Sequence, residues 1–152
     1  MKRVELLAPA GDMDSLLAAV NNGADAVYIG GKKFGARKFA HNFDEQELKE
    51  AIQVCHTHGA RLYVTVNTLI HDTELEDALQ ELKFLYEIGV DAVIIQDIGL
   101  IRLARKYLKN LELHASTQMH TTNEEALQEL KELGIKRAVL AREMTKEEIA
   151  SL

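Results

Sequence analysis

The sequence predicts an α/β fold in which parallel β/α units form an incomplete TIM-type barrel of about six strands. A segment that begins at Gly23 (GADAVYIG) returns in altered form at Gly89 (GVDAVIIQ), and more loosely at Gly59 and Gly134. Each copy places a glycine where a helix would end and an apolar strand would begin. The apolar runs are too continuous to alternate, which is typical of parallel strands buried on both faces.

The strands are expected, in chain order, at residues 4–8, 26–29, 62–66, 92–95, 111–115 and 138–141. Between them, apolar residues recur three and four positions apart, as at Leu75, Leu79 and Leu82, which predicts crossover helices. Four pairs have the spacing of a capping box at a helix start: Asp44 with Glu47, Thr73 with Glu76, Thr122 with Glu125, and Thr145 with Glu148. Asp12 either caps the first helix or belongs to the functional site.

The length bears on the choice between two parallel folds. A complete eightfold barrel takes about 250 residues, whereas the 152 residues of this chain supply five β/α units and the start of a sixth helix. A doubly wound sheet fits the length better, but the loop at residues 8–12 lacks the G-x-G-x-x-G spacing of a dinucleotide site. We therefore expect residues 1–152 to be one barrel-like, N-terminal domain of a longer protein.

Composition excludes some functions. The formal net charge of −6 argues against a broad basic surface for nucleic acid, although a local cluster is compatible with it. With no signal segment and no long apolar stretch, the expected location is the cytoplasm, with no membrane partner. Cys55 is the one cysteine and is expected to pack inside a helix. His56 and His58 are two residues apart and so face different sides, and no metal site is expected.

Polar residues gather in the turns after the predicted strands, where parallel folds carry their chemistry. The turn after the second strand has glycines at 30, 31 and 35 among the cations Lys32, Lys33, Arg37 and Lys38. These cations either form a solvated charge run or contact phosphate groups.

The remaining strand ends supply amides and an arginine. Asn67 and Gln96 directly follow strands, and we predict that they bind substrate together with Gln118 and Arg142. His120 and Glu143 lie past the strands as weak candidates for a catalytic acid or base. Glu5, Glu112, His114 and Arg137 are instead predicted to form a polar layer inside the barrel. No zinc-protease, serine-elbow or Walker motif occurs.

Several segments carry a resemblance to a known family, in the same order along the chain. They are residues 5–12 (ELLAPAGD), 23–31 (GADAVYIGG), 34–37 (FGAR), 42–43 (NF), 63–69 (YVTVNTL), 91–99 (DAVIIQDIG), 114–118 (HASTQ) and 140–143 (LARE). Together they resemble peptidase family U32, the collagenase-like peptidases.

The resemblance implies a barrel-like domain followed by a cysteine-bearing region. Some members are described as proteases, and others are linked to oxygen-independent hydroxylation of RNA bases or of ubiquinone precursors. An iron–sulfur cluster in the full-length protein is also implied, with its cysteines beyond Leu152, so the fragment alone is expected to be inactive.

We expect hydroxylation of an RNA base, because the predicted mouth offers hydrogen-bond donors and cations but no activated nucleophile. The alternatives are a protease, with a protein substrate, and a binding module without turnover. Because the outer strands of an incomplete barrel would have unpaired edges, the fragment is expected to self-associate.

Overall fold

The computed structural model describes residues 4–36 and 42–152, and in that part of the chain the backbone forms a parallel sheet of six strands. The strands are β1 (Leu7–Pro9), β2 (Ala26–Gly30), β3 (Arg61–Val66), β4 (Ala92–Ile95), β5 (Leu113–Ala115) and β6 (Arg137–Ala138). The helices are α1 (Met13–Asn21), α2 (Glu45–Thr57), α3 (Leu75–Ile88), α4 (Ile98–Tyr107), α5 (Glu124–Glu132) and α6 (Lys146–Ser151). The spatial order of the strands follows the chain from β1 to β6, as the repeated glycine–strand units predict.

The sheet buries both of its faces. Val64, Ile95 and Leu113 belong to the large core, in which the sheet packs against the helices. A smaller cluster on the other face contains Ala26 and Tyr63, with further members Ala92 and Ile94. Burial of both faces explains why the strands read as continuous apolar runs.

The sheet is curved so that its first and last strands approach each other. The Nη1 atom of Arg137, in β6, lies 2.5 Å from Oε1 of Glu5, just before β1. Leu7 of β1 and Val139, which follows β6, line the same cavity. These contacts across the concave side identify the sheet as a half-barrel, and they confirm the predicted fold class.

Some strand bounds differ from the sequence prediction. β1 begins at Leu7 rather than at residue 4, since its ladder starts where Leu7 pairs with Ala26. β6 begins one residue early and ends at Ala138, because Val139 still donates to the carbonyl of Ala115 but Ala141 already bonds to Thr121, outside the sheet. A strand with a single neighbour has fewer backbone bonds to extend it.

The helix starts confirm two of the four predicted capping boxes, at Asp44 with Glu47 and at Thr145 with Glu148. The other two predictions were wrong. The box before α3 joins His71 to Glu74 around the 3₁₀ turn Asp72–Glu74, and α5 is capped by Asn123 instead of Thr122. Asp12 caps α1 and forms a box with Ser15. No helix in the described ranges is long and apolar enough to cross a membrane.

Candidate functional site at the mouth of the half-barrel

A cavity of about 570 Å³ opens at the carboxyl ends of the strands. Its apolar lining includes Leu7, Ile29, Ile94 and Val139. Its polar lining includes Tyr28, Asn42, Thr65, Asn67, Gln118 and Arg142. An apolar floor with a few convergent polar groups is the usual character of a small-molecule site.

Asn67 links three elements at this mouth. Its Oδ1 accepts from the backbone N–H of Ala36 at 3.1 Å, and its Nδ2 donates to the hydroxyl of Ser116 at 3.4 Å. That hydroxyl, buried after β5, also accepts from the N–H of Gln118 at 3.3 Å. Asn67 therefore fixes the segment after β2 against the segment after β5.

The four residues predicted to bind substrate are not all at the cavity. Asn67, Gln118 and Arg142 line it, the last two with exposed side chains. Gln96 is half-buried after β4 and is not part of the lining. The neighbouring Asp97 caps α4 through the N–H of Leu100.

The glycine loop, residues 30–36, forms one wall of the cavity through Gly35 and Ala36. A Cβ at position 30 would lie 3.0 Å from Oδ1 of Asn42, so the Asn42 side chain would have to shift to admit a larger residue there. Phe34 has φ of 56°, in the left-handed region, and its carbonyl accepts from the hydroxyl of Thr68 at 3.3 Å. The loop is thus held by contacts to β3 and to the segment that follows it.

The predicted phosphate-binding cations sit on this loop. Lys32 pairs with Asp44 at 3.2 Å, and Lys33 pairs with Glu81 at 3.7 Å. Both lysine side chains remain about 60% exposed. Arg37 and Lys38 lie outside the described residues.

A second cavity, of about 780 Å³, lies on the other side of the glycine loop. It shares Gly35 and Asn42 with the mouth cavity and is lined further by Lys32, Lys33, Phe34, Thr68, Leu69, His71, Glu74, Asp77 and Gln80. The glycine loop is therefore a partition between two concave surfaces.

The two weak catalytic candidates are exposed and lie outside both cavities. His120 has φ of 50° at the end of the 3₁₀ turn Thr117–Met119. Glu143 follows Arg142, and its side chain is not part of either lining.

The predicted polar layer forms at the opposite, amino-terminal end of the strands. Glu5 accepts from the hydroxyl of Tyr63 at 2.9 Å and pairs with Arg137 and, at 3.4 Å, with Arg61. Burial alone would raise the pKa of Glu5, but the hydrogen bonds from Arg137 and Tyr63 outweigh it and hold that pKa below its ordinary value.

His114 completes this layer. Its Nε2 lies 2.8 Å from Oε1 of Glu112, and its ring meets that of Tyr63 edge to face at 4.8 Å. Burial lowers the pKa of His114, and the contact with Glu112 offsets this only in part. Burial therefore favours the neutral form of His114, which serves the interior packing, away from the mouth.

The residues of this chain do not fit an iron–sulfur cluster. Such a cluster is held by several thiolates, and Cys55 is the one cysteine in the sequence. It lies buried in α2, as predicted, where burial raises the pKa of its thiol to about 11. Among the described residues, no group of three or more His, Cys, Asp or Glu side chains could hold a metal ion.

Among the cavity residues that the sequence did not predict are two polar residues within strands. Tyr28 and Thr65 pair across β2 and β3 with Tyr63 and Gly30, respectively. The signal was the spacing of Thr65, in β3, and Asn67, just after it, because residues two apart in extended chain point to the same side. It was hidden because both strands read as apolar runs.

Known proteins are similar to this chain over nearly its whole length. The model of peptidase family U32 matches residues 11–152. An Escherichia coli protein named 23S rRNA 5-hydroxycytidine synthase is 43% identical over 99% of this chain and 22% of its own length. The tRNA hydroxylation protein P1 of Bacillus subtilis is 40% identical over 99% of this chain and 36% of its own length. An uncharacterized protease of Methanocaldococcus jannaschii is 37% identical over the whole of this chain, which is 37% of its own length.

Solved structures show the same fold. The U32 peptidase Mk0906 superposes with a TM-score of 0.73 at 14% identity, covering 91% of this chain and 58% of that one. The aldolase QR15 gives a TM-score of 0.68 at 19% identity, covering 91% and 68%. The chain spans between 22% and 37% of the length of these three curated relatives. On the family match and the relatives together, the chain belongs to peptidase family U32.

Proposed function

We propose that the protein containing this chain hydroxylates an RNA base, and that the mouth cavity of the half-barrel receives that base. The observation that carries the proposal is the cavity itself, in which amide and guanidinium groups surround an apolar floor. Relatives named for rRNA and tRNA hydroxylation, which match nearly the whole chain, support the choice of RNA.

The cavity suits a base in size and chemistry. Asn67, Gln118 and Arg142 offer the donors and acceptors that read a base edge, and Tyr28 offers an aromatic ring for stacking. A base inside a duplex cannot reach a concave site, so the substrate would be single-stranded or have its base flipped out. Gln96 is proposed to act from outside the cavity, on the sugar or a neighbouring nucleotide.

The cations of the β2 turn are proposed to contact the RNA backbone. Lys32 and Lys33 keep exposed ammonium groups, each with three donors, of which an ion pair uses one. Changing Lys32, Lys33, Arg37 and Lys38 to Ala should weaken RNA binding and flatten its salt dependence. The slope is expected to fall by roughly 0.7 for each phosphate that is no longer neutralised.

Proton transfer in this scheme is assigned to His120 or Glu143. Because neither lines the cavity, the bound RNA would have to bring a reacting atom to them. The cysteine ligands of an iron–sulfur cluster are proposed to come from the longer protein. We further propose that this protein works in the cytoplasm and that the present chain, by itself, self-associates and is inactive.

Proteolysis is the competing function, favoured by the relative named as a protease. The hydroxyl of Ser116 at the mouth contacts the amide of Asn67 and the N–H of Gln118. Neither group is a base that could activate it as a nucleophile. A binding module without turnover is the third alternative.

Deleting the gene and measuring RNA nucleosides by mass spectrometry tests these functions. Loss of a hydroxylated pyrimidine from tRNA or rRNA, restored by the intact gene, is the expected result. Unchanged RNA, together with cleavage of a protein by the purified full-length enzyme, would establish the protease. Unchanged RNA and no cleavage would leave the binding module.

A further inference from the structure

Glu81 is a buried carboxylate beneath the glycine loop. It comes from α3, its side chain is only 8% exposed, and the Nζ atom of Lys33 lies 3.7 Å from its Oε2. A Cβ on Gly31 would lie 3.7 Å from its Oε1. The carboxylate therefore lies directly below the start of the loop that separates the two cavities.

This placement is unfavourable for a carboxylate. Burial raises the pKa of Glu81, the nearby Glu45 adds to the rise, and Lys33 opposes both. An ion pair with one exposed partner returns little of the cost of taking a carboxylate out of water. A glutamine would have the same shape without that cost, so stability does not account for the charge.

The loop above Glu81 needs an anchor. Phe34 adopts the left-handed conformation, which is strained for a bulky residue. Two hydrogen bonds depend on the resulting path: the hydroxyl of Thr68 donates to the carbonyl of Phe34, and the N–H of Ala36 donates to Asn67. Lys33 directly precedes Phe34, so its ion pair with Glu81 restrains the backbone next to the strained residue.

We propose that Glu81 is a positioning residue that acts through Lys33, holding the glycine loop as the wall between the two cavities. In this arrangement the loop presents the N–H of Ala36 to Asn67 and so fixes the amide that faces the bound base. The inference rests on the proposed function for the identity of the ligand. It adds a second role for Lys33, as the clamp on Glu81, whereas Lys32 pairs with Asp44 and has no part in the clamp.

The test uses the whole chain with the variants Glu81→Gln, Lys33→Met and their combination, and Lys32→Met as the matched control. Hydrogen exchange of the Ala36 amide, followed by NMR, reports the loop. Exchange should be about fivefold faster in either single variant, the scale of a half-exposed ion pair. The combination should add nothing further, and Lys32→Met should leave the exchange unchanged.

Binding of a single-stranded decamer of mixed uridine and cytidine is a second readout, for which simple electrostatics and the clamp predict opposite effects of Glu81→Gln. Glu81→Gln removes a negative charge, so simple electrostatics predicts tighter RNA binding. If Glu81 holds the loop through Lys33, Glu81→Gln should instead weaken RNA binding about fivefold. The midpoint of thermal unfolding should stay unchanged or rise, because a buried charge is removed. If Glu81 served only to stabilise the fold, Glu81→Gln would instead lower the midpoint of thermal unfolding.

Unchanged exchange of Ala36 in Glu81→Gln and Lys33→Met would overturn the clamp, as would additive effects in the double variant. If Ala36 responds as expected but the parent chain does not bind the decamer, the clamp stands and the proposed function fails.

Discussion

Glu5 is the residue that ties the first strand to the last. Its carboxylate, about 80% buried, bonds to Arg137 and to the hydroxyl of Tyr63. Replacing it in Glu5→Gln should lower the free energy of unfolding by about 1.5–3 kcal/mol, since charge-assisted bonds are removed from a buried site. Urea denaturation at pH 7 measures this.

Arg61 provides the control for that prediction. Its side chain is 59% exposed, and its Nη1 atom lies 3.4 Å from Oε2 of Glu5. Arg61→Gln should therefore change stability by less than about 1 kcal/mol. Equal losses in the two variants would show that Arg137 and Tyr63 add nothing to the Glu5 site.

His114 should make the fold sensitive to mild acid. Burial first, and Arg137 second, lower its pKa below the ordinary 6.5, so below that pH the unfolded chain binds more protons than the folded one. Stability should be full above pH 6.5 and fall below it, with Glu5 adding to the fall below pH 4.5. Urea midpoints between pH 7.5 and 5 measure this loss.

The variant His114→Gln separates the two titrations. It should be less stable than the parent at pH 7.5 but show little further loss down to pH 5, whereas Glu5→Gln should keep the loss that belongs to His114. A flat profile for the parent between pH 7.5 and 5 would contradict the assignment.

The positions of single side chains could be predicted from the sequence where residues alternate between the two sides of a strand. Glu112, just before β5, and His114, within it, are two residues apart, which predicted a shared side, and the structure places Nε2 of His114 2.8 Å from Oε1 of Glu112. Glu81 could not be found in this way, because it occupies an ordinary helix position and its burial depends on a loop some fifty residues earlier. Only tertiary packing reveals such a group.

At the scale of elements, helix ends set where strands begin. Gly89 ends α3 with φ of 86°, and Gly134 follows α5 with φ of 81°. A Cβ at Gly134 would lie 2.9 Å from Cδ of Arg105, whereas nothing lies within 4 Å of one at Gly89. The two positions share the backbone strain and differ in the space around them.

Gly89→Ala should cost about 1–2 kcal/mol from the left-handed conformation alone. Gly134→Ala should cost more, because Arg105 would have to shift from the carbonyl of Leu111, to which it donates. Thermal or urea unfolding of both variants compares them. A smaller loss at Gly134 would show that the arginine moves without penalty.

The same glycines explain what could be predicted of the fold. The recurring glycine and apolar run located β2, β3, β4 and β6, since each such unit encodes its own turn and strand. β1 and β5 lack the preceding glycine and were located from their apolar residues alone. Strand bounds and two capping boxes were missed. Thr73 and Thr122 have the right spacing, but His71 and Asn123 are the residues at which the chain enters the helical turns.

At the scale of the whole molecule, the half-barrel has two edges. Within the described ranges, β1 pairs with β2 alone and β6 with β5 alone. Val4 and Leu6, beside the β1 edge, are 88% and 56% exposed. Unpaired edges with apolar side chains favour association, so the isolated chain should form dimers at micromolar concentration in sedimentation experiments.

Leu6→Lys should weaken this association, because a charge beside the edge opposes pairing. Leu69→Lys changes a residue that is 72% exposed at the second cavity and should have no effect. A parent chain that sediments as a monomer would refute the prediction.

Photocrosslinking can show whether an RNA base enters the mouth cavity. A single-stranded RNA carrying one 4-thiouridine, irradiated with the chain and mapped by mass spectrometry, should attach to peptides that contain Tyr28, Asn67 or Gln118. The same RNA in a duplex should give little product, since its base is not free to enter. Crosslinks on the outer helices, or equal yields from the duplex, would rule out the mouth cavity as the site that receives the base.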